Sequence, residues 1–449
     1  MFKKFTSGCV VLVQKYLPDP FLFAVILTLL VFILGIVLTG QSLMAMTLHW
    51  ANGFWSLLAF SMQMALVLVT GHTLASTPSI KKGLRGLAGL TKTPTQSIFA
   101  VSLVSAVACW INWGFGLVIG ALYARELSRQ VKGVDYRLLI AAAYSGFLVW
   151  HGGLSGSIPL TLATSTANLA EMTRGAVTDV IPTSQTIFSS FNLFISAAII
   201  FTLPFINRAM HPEADKVITV NSEALVDVES AAVFNDQLTP ADKIENSPIL
   251  SIIIGMLGLV YIFYYFATNG FSLNLNIVNF IFLFLGILLH GTPKKFLAAI
   301  SEAAKGTAGI ILQFPFYAGI MGMMVGNNVD GLSLAGVMSN AFVNISTPRT
   351  FPLWTFLSAG LVNFFVPSGG GQWAVQAPIM MPAGAELGVP AAKTAMAIAW
   401  GDAWTNMIQP FWALPALGIA GLGARDIMGF CIIDLIYTGA IIALGLMFL

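Results

Sequence analysis

A polar, glycine-rich break in the middle of apolar sequence limits what this chain can fold into more than any other feature. It is Asn363-Phe-Phe-Val-Pro-Ser-Gly-Gly-Gly-Gln372. Serine and glycine are poor helix formers, and Pro367 removes a backbone donor. The surroundings set the medium: 57% of the 449 residues are hydrophobic, 9% are charged, and mean hydropathy is +0.84. A soluble domain carries charge on about a quarter of its residues, so the chain reads as an all-α polytopic membrane protein. In lipid such a break survives only where protein buries it or where it lines a water-filled cavity.

The break has a partner downstream, Gly401-Asp-Ala-Trp-Thr-Asn-Met-Ile-Gln-Pro410, and the first half of the chain carries a matching pair. Asn112-Trp-Gly-Phe-Gly-Leu-Val-Ile-Gly120 corresponds to Asn363 through Gly371, and His151-Gly-Gly-Leu-Ser-Gly-Ser-Ile-Pro159 to Asp402 through Pro410. The separation from Asn112 to Pro159 equals that from Asn363 to Pro410, and Trp150 and Trp400 fall close to register. Apolar segments interrupted at corresponding places in two halves point to an internal duplication with a transporter's binding site at the breaks.

Charge then orients the spans. The N-terminus is basic, and the apolar run Phe21 to Thr39 is long enough to cross a bilayer with its start in the cytoplasm. Basic loops lie on both sides of Gln96 to Glu126, at Lys81, Lys82, Arg85 and Lys92, and at Arg125, Arg129, Lys132 and Arg137. That segment must therefore enter and leave on the same side, as a re-entrant helical hairpin. The expected plan is a first repeat over 1–206, with its hairpin near 96–127 and a broken helix near 138–170. Residues 207–247 form an acidic cytoplasmic linker, partly flexible, and 248–268 a linking transmembrane helix. The second repeat, 269–449, is inverted, with its hairpin near 351–386 and its broken helix near 391–422. Of all Lys and Arg, only Arg174, Arg349 and Lys393 then lie outside the cytoplasmic face.

Each break leaves helix-terminal N–H and C=O groups without intrahelical partners. N-termini attract anions, and unwound carbonyls and hydroxyls suit a small cation. The candidate substrate-binding residues are Asn112, Gly114, Gly116, Ser155 and Ser157 in the first half. In the second half they are Asn363, Ser368, Gly369, Gly370, Gly371, Thr405 and Asn406. The four stretches hold no Arg or Lys, which favours a small monoanion over a dianion. Asp402 and its counterpart His151 are ionisable at membrane depth, and they are the candidates for ion coupling by Na+ or H+. Trp110, Trp113, Trp373 and Trp404 lie beside the breaks, where they could wall an apolar pocket. Asp434 reads as structural, paired with a hydroxyl such as Tyr437 or Thr438. Cys9, Cys109 and Cys431 are far apart and read as apolar fillers, and nothing suggests a metal site, a cofactor or a nucleic-acid partner. Glycine clusters also serve close helix packing, and a membrane Asn also serves to bridge helices, so these readings stay open at each position.

At these residues the sequence resembles the bacterial short-chain fatty acid transporter family, which includes acetoacetate and butyrate carriers. The likeness runs over nearly the whole chain, including Leu17-Pro-Asp-Pro20, Asn112-Trp-Gly-Phe-Gly116 and, most specifically, Asn363 through Met381. More distantly, the pattern looks like the ion-transporter superfamily that contains divalent-anion symporters. That resemblance implies a scaffold part, a transport part moving as an elevator, a homodimer, and a bacterial inner-membrane location. The Ser-Asn-Thr motif of divalent-anion carriers is absent here in that form, so their sodium ligands do not carry over. The expected function is cation-coupled secondary transport of short-chain monocarboxylates. Rival readings are a dicarboxylate or amino-acid carrier, a passive channel, and an intramembrane serine hydrolase. The last would use Gly153-Leu-Ser-Gly156, with His72 or His290 as base.

Overall fold

The structure is a computed structural model and describes residues 2–16, 20–56, 58–164, 169–220, 239–270, 275–367 and 369–449. Every regular element among them is helical. The first half runs α1 (Phe2–Tyr16), α2 (Pro20–Thr39), α3 (Leu43–Gly53), α4 (Leu58–Ala75) and α5 (Pro78–Ala88). It continues with α6 (Pro94–Ile111), α7 (Trp113–Gln130), α8 (Tyr136–Ser145), α9 (Ser157–Leu162), α10 (Leu169–Met172) and α11 (Ser190–Ala209). After α12 (Pro240–Glu245) come α13 (Pro248–Asn269), α14 (Leu275–His290), α15 (Pro293–Ala304), α16 (Ala308–Val325) and α17 (Leu334–Val343). The chain ends with α18 (Phe351–Asn363), α19 (Gly369–Glu386), α20 (Ala391–Thr405), α21 (Leu414–Ala420) and α22 (Ala424–Phe448).

Local chemistry explains many of the starts. Thr or Ser followed by Pro opens α5, α6, α12, α13 and α15, and the hydroxyl of Thr93 accepts the Gln96 N–H at 3.3 Å. Five helical segments among the described residues are long and apolar enough to cross a membrane, α6, α8 through α9, α11, α13 and α22. On α13 the large side chains Ile249, Ile252, Ile253, Leu257, Val260 and Phe263 are exposed, as a lipid-facing helix requires.

Two elements fold back on themselves. Helices α6 and α7 pack together and are joined at Asn112, and Gly116 lies so close to the Cys109 backbone that a side chain there would overlap it. Both ends return to α5: Thr93 follows it closely, while Gln130 Nε2 donates to the Arg85 carbonyl at 3.3 Å and Glu126 pairs with Arg85 at 3.7 Å. Helices α18 and α19 form the second such pair, with Gly384 near the far end of α19 against Phe351 at the start of α18. Helix α8 gives way to a 3₁₀ turn, Gly146–Gly152, before α9. In the same way α20 ends before a 3₁₀ turn, Pro410–Ala413, and α21. These interrupted spans pack against each other and against α6 and α18, so the centre of the molecule is built from broken segments.

The expected linker begins later than its polarity suggests. Asn207 is fully buried, because its Nδ2 donates to Ser102 Oγ at 2.8 Å and to Ser145 Oγ at 2.9 Å. Its first described residues are also tied down. Tyr136 N–H donates to the Ile218 carbonyl at 2.9 Å, Ile218 N–H to Asp135 Oδ2 at 3.0 Å, and Asp135 N–H to His211 Nε2 at 3.3 Å. Residues 221–238, the middle of the linker, lie outside the described residues.

This strap is pH-sensitive in a direction that follows from its bonds. Burial, the largest cause, pushes the His211 imidazole below its usual range, with Lys3 adding to the effect while the Pro212 carbonyl and Asp135 oppose it. A histidine whose pKa is depressed on folding holds the strap fully above its free value of about 6.5, and the contribution is lost as pH falls below it. Protection of the Tyr136 and Ile218 amides, read against the intrinsic exchange rate at each pH, is therefore expected to fall on going from about pH 7.5 to 5.5. In His211→Ala it should be low at both pH values.

Candidate functional site

The second hairpin and the second break meet at Asn363, the last residue of α18. Its amide Nδ2 is 2.8 Å from the Asp402 carbonyl, 3.0 Å from Thr405 Oγ1 and 2.8 Å from Asn406 Oδ1. Flipping the amide would aim its oxygen at three acceptors, so the orientation is fixed by the network. Thr405 Oγ1 donates in turn to the Gly360 carbonyl at 2.9 Å. Gly360 and Gly401 let α18 and α20 approach this closely, because a side chain on Gly401 would overlap Phe356 and Ala359.

The two halves join at a fully buried pair, His151 Nδ1 and Asp402 Oδ1, 3.0 Å apart. The other ring nitrogen accepts the Ile158 N–H at 3.1 Å. A backbone N–H can only donate, so Nε2 holds a lone pair and Nδ1 carries the proton that goes to Asp402. The imidazole is thereby a neutral donor. Trp150 stacks on it at 4.0 Å between ring centroids. Gly369, at the N-terminus of α19, closes on the same place: a Cβ there would sit 2.8 Å from His151 Cε1 and 3.0 Å from Ser157 Oγ. The tip of the second hairpin thus lies against the break of the first half.

The remaining candidates divide. Asn112 caps α7, its Oδ1 accepting the Phe115 N–H at 3.0 Å, and Ser155 Oγ accepts the Trp113 N–H at 3.0 Å. These two hold the first tip to the first break, together with the Leu154 N–H on the Trp110 carbonyl at 2.8 Å. Gly114 is buried within α7. Gly370 has open space beside it, and Gly371 is half-buried. Ser368 lies outside the described residues, as do Leu17, Pro18 and Asp19.

Some pairings differ from expectation. Thr438 Oγ1 donates to the backbone carbonyl of Asp434 at 2.7 Å, not to its carboxylate, whose oxygens meet no donor among the described residues. The four tryptophans do not share one wall. Trp113 packs on Phe147, Trp150 and Trp412, whereas Trp404 packs on Phe356 and gives its indole N–H to the Leu435 carbonyl at 2.7 Å. Trp404 sits on the face of α20 that meets α18 and α22, which is why it turns away. Ser155 takes the Trp113 N–H while His290 Nε2 lies 2.9 Å from the Thr73 carbonyl, so these two do not form a nucleophile–base pair.

Three supporting residues escape a reading of the sequence. Tyr144 donates to the Asn406 carbonyl at 2.7 Å. Asn192 on α11 donates to the Gly152 carbonyl at 2.8 Å and accepts the Trp400 indole N–H at 2.9 Å. Trp412 completes the aromatic cluster. Asn192 alone left a signal, as a buried amide within an apolar helix.

Hairpins meeting interrupted helices around a buried, Lys- and Arg-free polar centre are the build of a membrane transporter. The chain belongs to the short chain fatty acid transporter family, which it matches over residues 1–449. A protein of Escherichia coli K12, provisionally named a short-chain fatty acid transporter, is 49% identical over 438 residues, covering 97% of each chain. A protein of the same provisional name from Haemophilus influenzae is 47% identical over 440 residues, again covering 97% of each. A provisionally named basic amino acid antiporter of E. coli, YfcC, is 26% identical over 39% of this chain and 31% of its own. The Alcanivorax borkumensis YdaH transporter, described as having an unusual topology, is similar at a TM-score of 0.47 and 15% identity, over 96% of this chain and 97% of that one.

Proposed function

We propose that this protein is a secondary active transporter of short-chain monocarboxylates, such as butyrate or acetoacetate, driven by a cation gradient across the bacterial inner membrane. The observation that carries the reading is the junction of both halves at His151, Asp402, Asn363 and Gly369, fully buried and paired with no Lys or Arg. The substrate carboxylate is assigned to the first turn of α19, where helix N–H groups point outward, and to Asn406 Nδ2, a buried donor with no acceptor among the described residues. The alkyl end is assigned to the Trp113, Trp150 and Trp412 cluster. Asn112, Ser155 and Ser157 hold the pseudo-symmetric half in place. The transporter so described has two inverted repeats, a cytoplasmic N-terminus and a homodimeric assembly, with elevator motion of the two hairpins and broken helices against the rest.

The test is uptake of labelled butyrate into proteoliposomes holding the full-length protein, under an imposed sodium or proton gradient at matched membrane potential. Protein-free vesicles set the background, since protonated butyrate crosses lipid unaided. Accumulation above that background under either gradient is the expected result. Uptake of a dicarboxylate or an amino acid in place of butyrate would move the substrate class. Equilibration without accumulation would make the protein a channel.

A further inference from the structure

We propose that the starts of α5 and α15 together bind the phosphate of an anionic phospholipid from the surrounding leaflet, between Lys81 and Lys295. The site lies apart from the two tips and breaks and holds whichever solute is carried. Parallel packing of α4 on α14 creates it. Gln63 Nε2 donates to Asn276 Oδ1 at 2.8 Å nearer the start of both helices, and His290 Nε2 lies 2.9 Å from the Thr73 carbonyl near the end of both. The helices that follow, α5 and α15, therefore begin on the same face of the molecule. Each opens on Thr-Pro and carries two adjacent lysines in its first two turns, Lys81 and Lys82 on α5, Lys294 and Lys295 on α15. Lys81 and Lys295 both act electrostatically on His290, so the charges of the two helices converge on the end of α14.

Lys82, Lys294 and Lys295 are exposed. The acids beside the two helices do not cancel this charge: Glu126 pairs with Arg85 and Arg129, Glu302 pairs with Lys305, and Asp242 faces Lys294. The face stays positive. A second feature of the same spot suits an anion. Thr77, which precedes α5, is fully buried, and its hydroxyl meets no partner among the described residues. It leaves the first N–H groups of α5 without a side-chain cap, whereas Thr292 takes the Lys295 N–H at 3.4 Å at the start of α15. The N-terminus of α5 thus adds donors and a helix dipole to the lysine charges. Leu289 beside His290 and Leu297 on α15 are exposed as well, and they offer apolar surface to acyl chains. Lysines at headgroup level next to exposed leucines match an anionic lipid, whereas a soluble phosphate makes no use of the leucines. Because Arg85 ties α5 to Glu126 on α7, a lipid held here joins the base of the first hairpin to α14 and should stabilise the fold.

The test is thermal unfolding of the purified full-length protein in detergent, titrated separately with phosphatidylglycerol, phosphatidylcholine and inorganic phosphate. Phosphatidylglycerol is expected to raise Tm in a saturable way that the other two do not match. Replacing both Lys81→Gln and Lys295→Gln should raise the half-saturating phosphatidylglycerol concentration roughly thirtyfold, the scale of two lysines at an anionic surface. Replacing Lys3→Gln and Lys4→Gln, which removes the same charge from α1, should leave it nearly unchanged. Equal effects of the two lipids would overturn the assignment, and so would equal losses in the two double variants. A rise with inorganic phosphate as large as that with phosphatidylglycerol would make this a site for soluble anions and overturn the lipid. If the first double variant does not yield folded protein, Lys295→Gln alone decides: a shift of roughly fivefold is expected, and no shift overturns the proposal. Butyrate uptake is not part of the readout, so a failure of the transport reading leaves this result standing.

Discussion

Asn363→Ala is expected to cut substrate uptake roughly 100-fold while the protein still reaches the membrane folded. The side chain is fully buried and its one amide nitrogen serves three acceptors: the Asp402 carbonyl, Thr405 Oγ1 and Asn406 Oδ1. Removing it orphans groups on both sides of the second break, where water is scarce and no other described donor replaces it. Hydrogen bonds between membrane helices contribute about 0.6 kcal/mol each on average, and a buried orphan costs about 1–3 kcal/mol, so the loss of stability is about 2–3 kcal/mol. That is too small to unfold a helical core sealed at Gly360 and Gly401. It is enough to let the end of α18 and residues 402–406 drift apart. Transport suffers more than stability because the same atoms that close the network set the position of Asp402 and Asn406. The check is to measure uptake and Tm on one preparation: normal uptake with a lowered Tm would make Asn363 a packing residue and remove it from the site.

Much of the fold was legible because breaks in membrane helices have a chemical signature. Gly369 to Gly371, Pro367 and Pro410 interrupt runs that composition alone would make continuous, and the element order of the two halves could be laid side by side from them. Register also paired His151 with Asp402. That the two are bonded to each other was not legible, since matching spacing says which positions correspond and not which ones touch. Asn112 and Asn363 show the same limit. Spacing sets them in register, yet Asn112 caps α7 while Asn363 bridges α18 to α20, because one begins a helix and the other ends one. Asn207 misled in the opposite sense. A polar residue beside a charged stretch reads as linker, and only Ser102 and Ser145, distant in sequence, satisfy its amide once it is buried. Tyr144 and Trp412 act through contacts distant in sequence, which leave no periodicity for a sequence reading to find.

His151→Ala and His151→Gln together should separate a positioning role for this histidine from a proton-carrying one. Alanine removes the donor to Asp402 Oδ1 and the acceptor for the Ile158 N–H at once, stranding a fully buried carboxylate and a buried backbone amide. Two buried orphans at about 1–3 kcal/mol each together exceed the loss in Asn363→Ala, so His151→Ala is expected to show a lower Tm than Asn363→Ala and almost no uptake. Glutamine has a donor and an acceptor on one planar group and about the reach of the far ring nitrogen. It can give an N–H to Asp402 and take the Ile158 N–H, which should return stability to within about 1 kcal/mol of the wild type. Glutamine also never titrates. If the ring acts only as the neutral donor that its bonds describe, His151→Gln should transport within about threefold of the wild type, since about threefold is less than about 1 kcal/mol. A glutamine variant with native Tm and no uptake would mean that the imidazole gains and loses a proton during the cycle. Asp402 would then have a transient cationic partner.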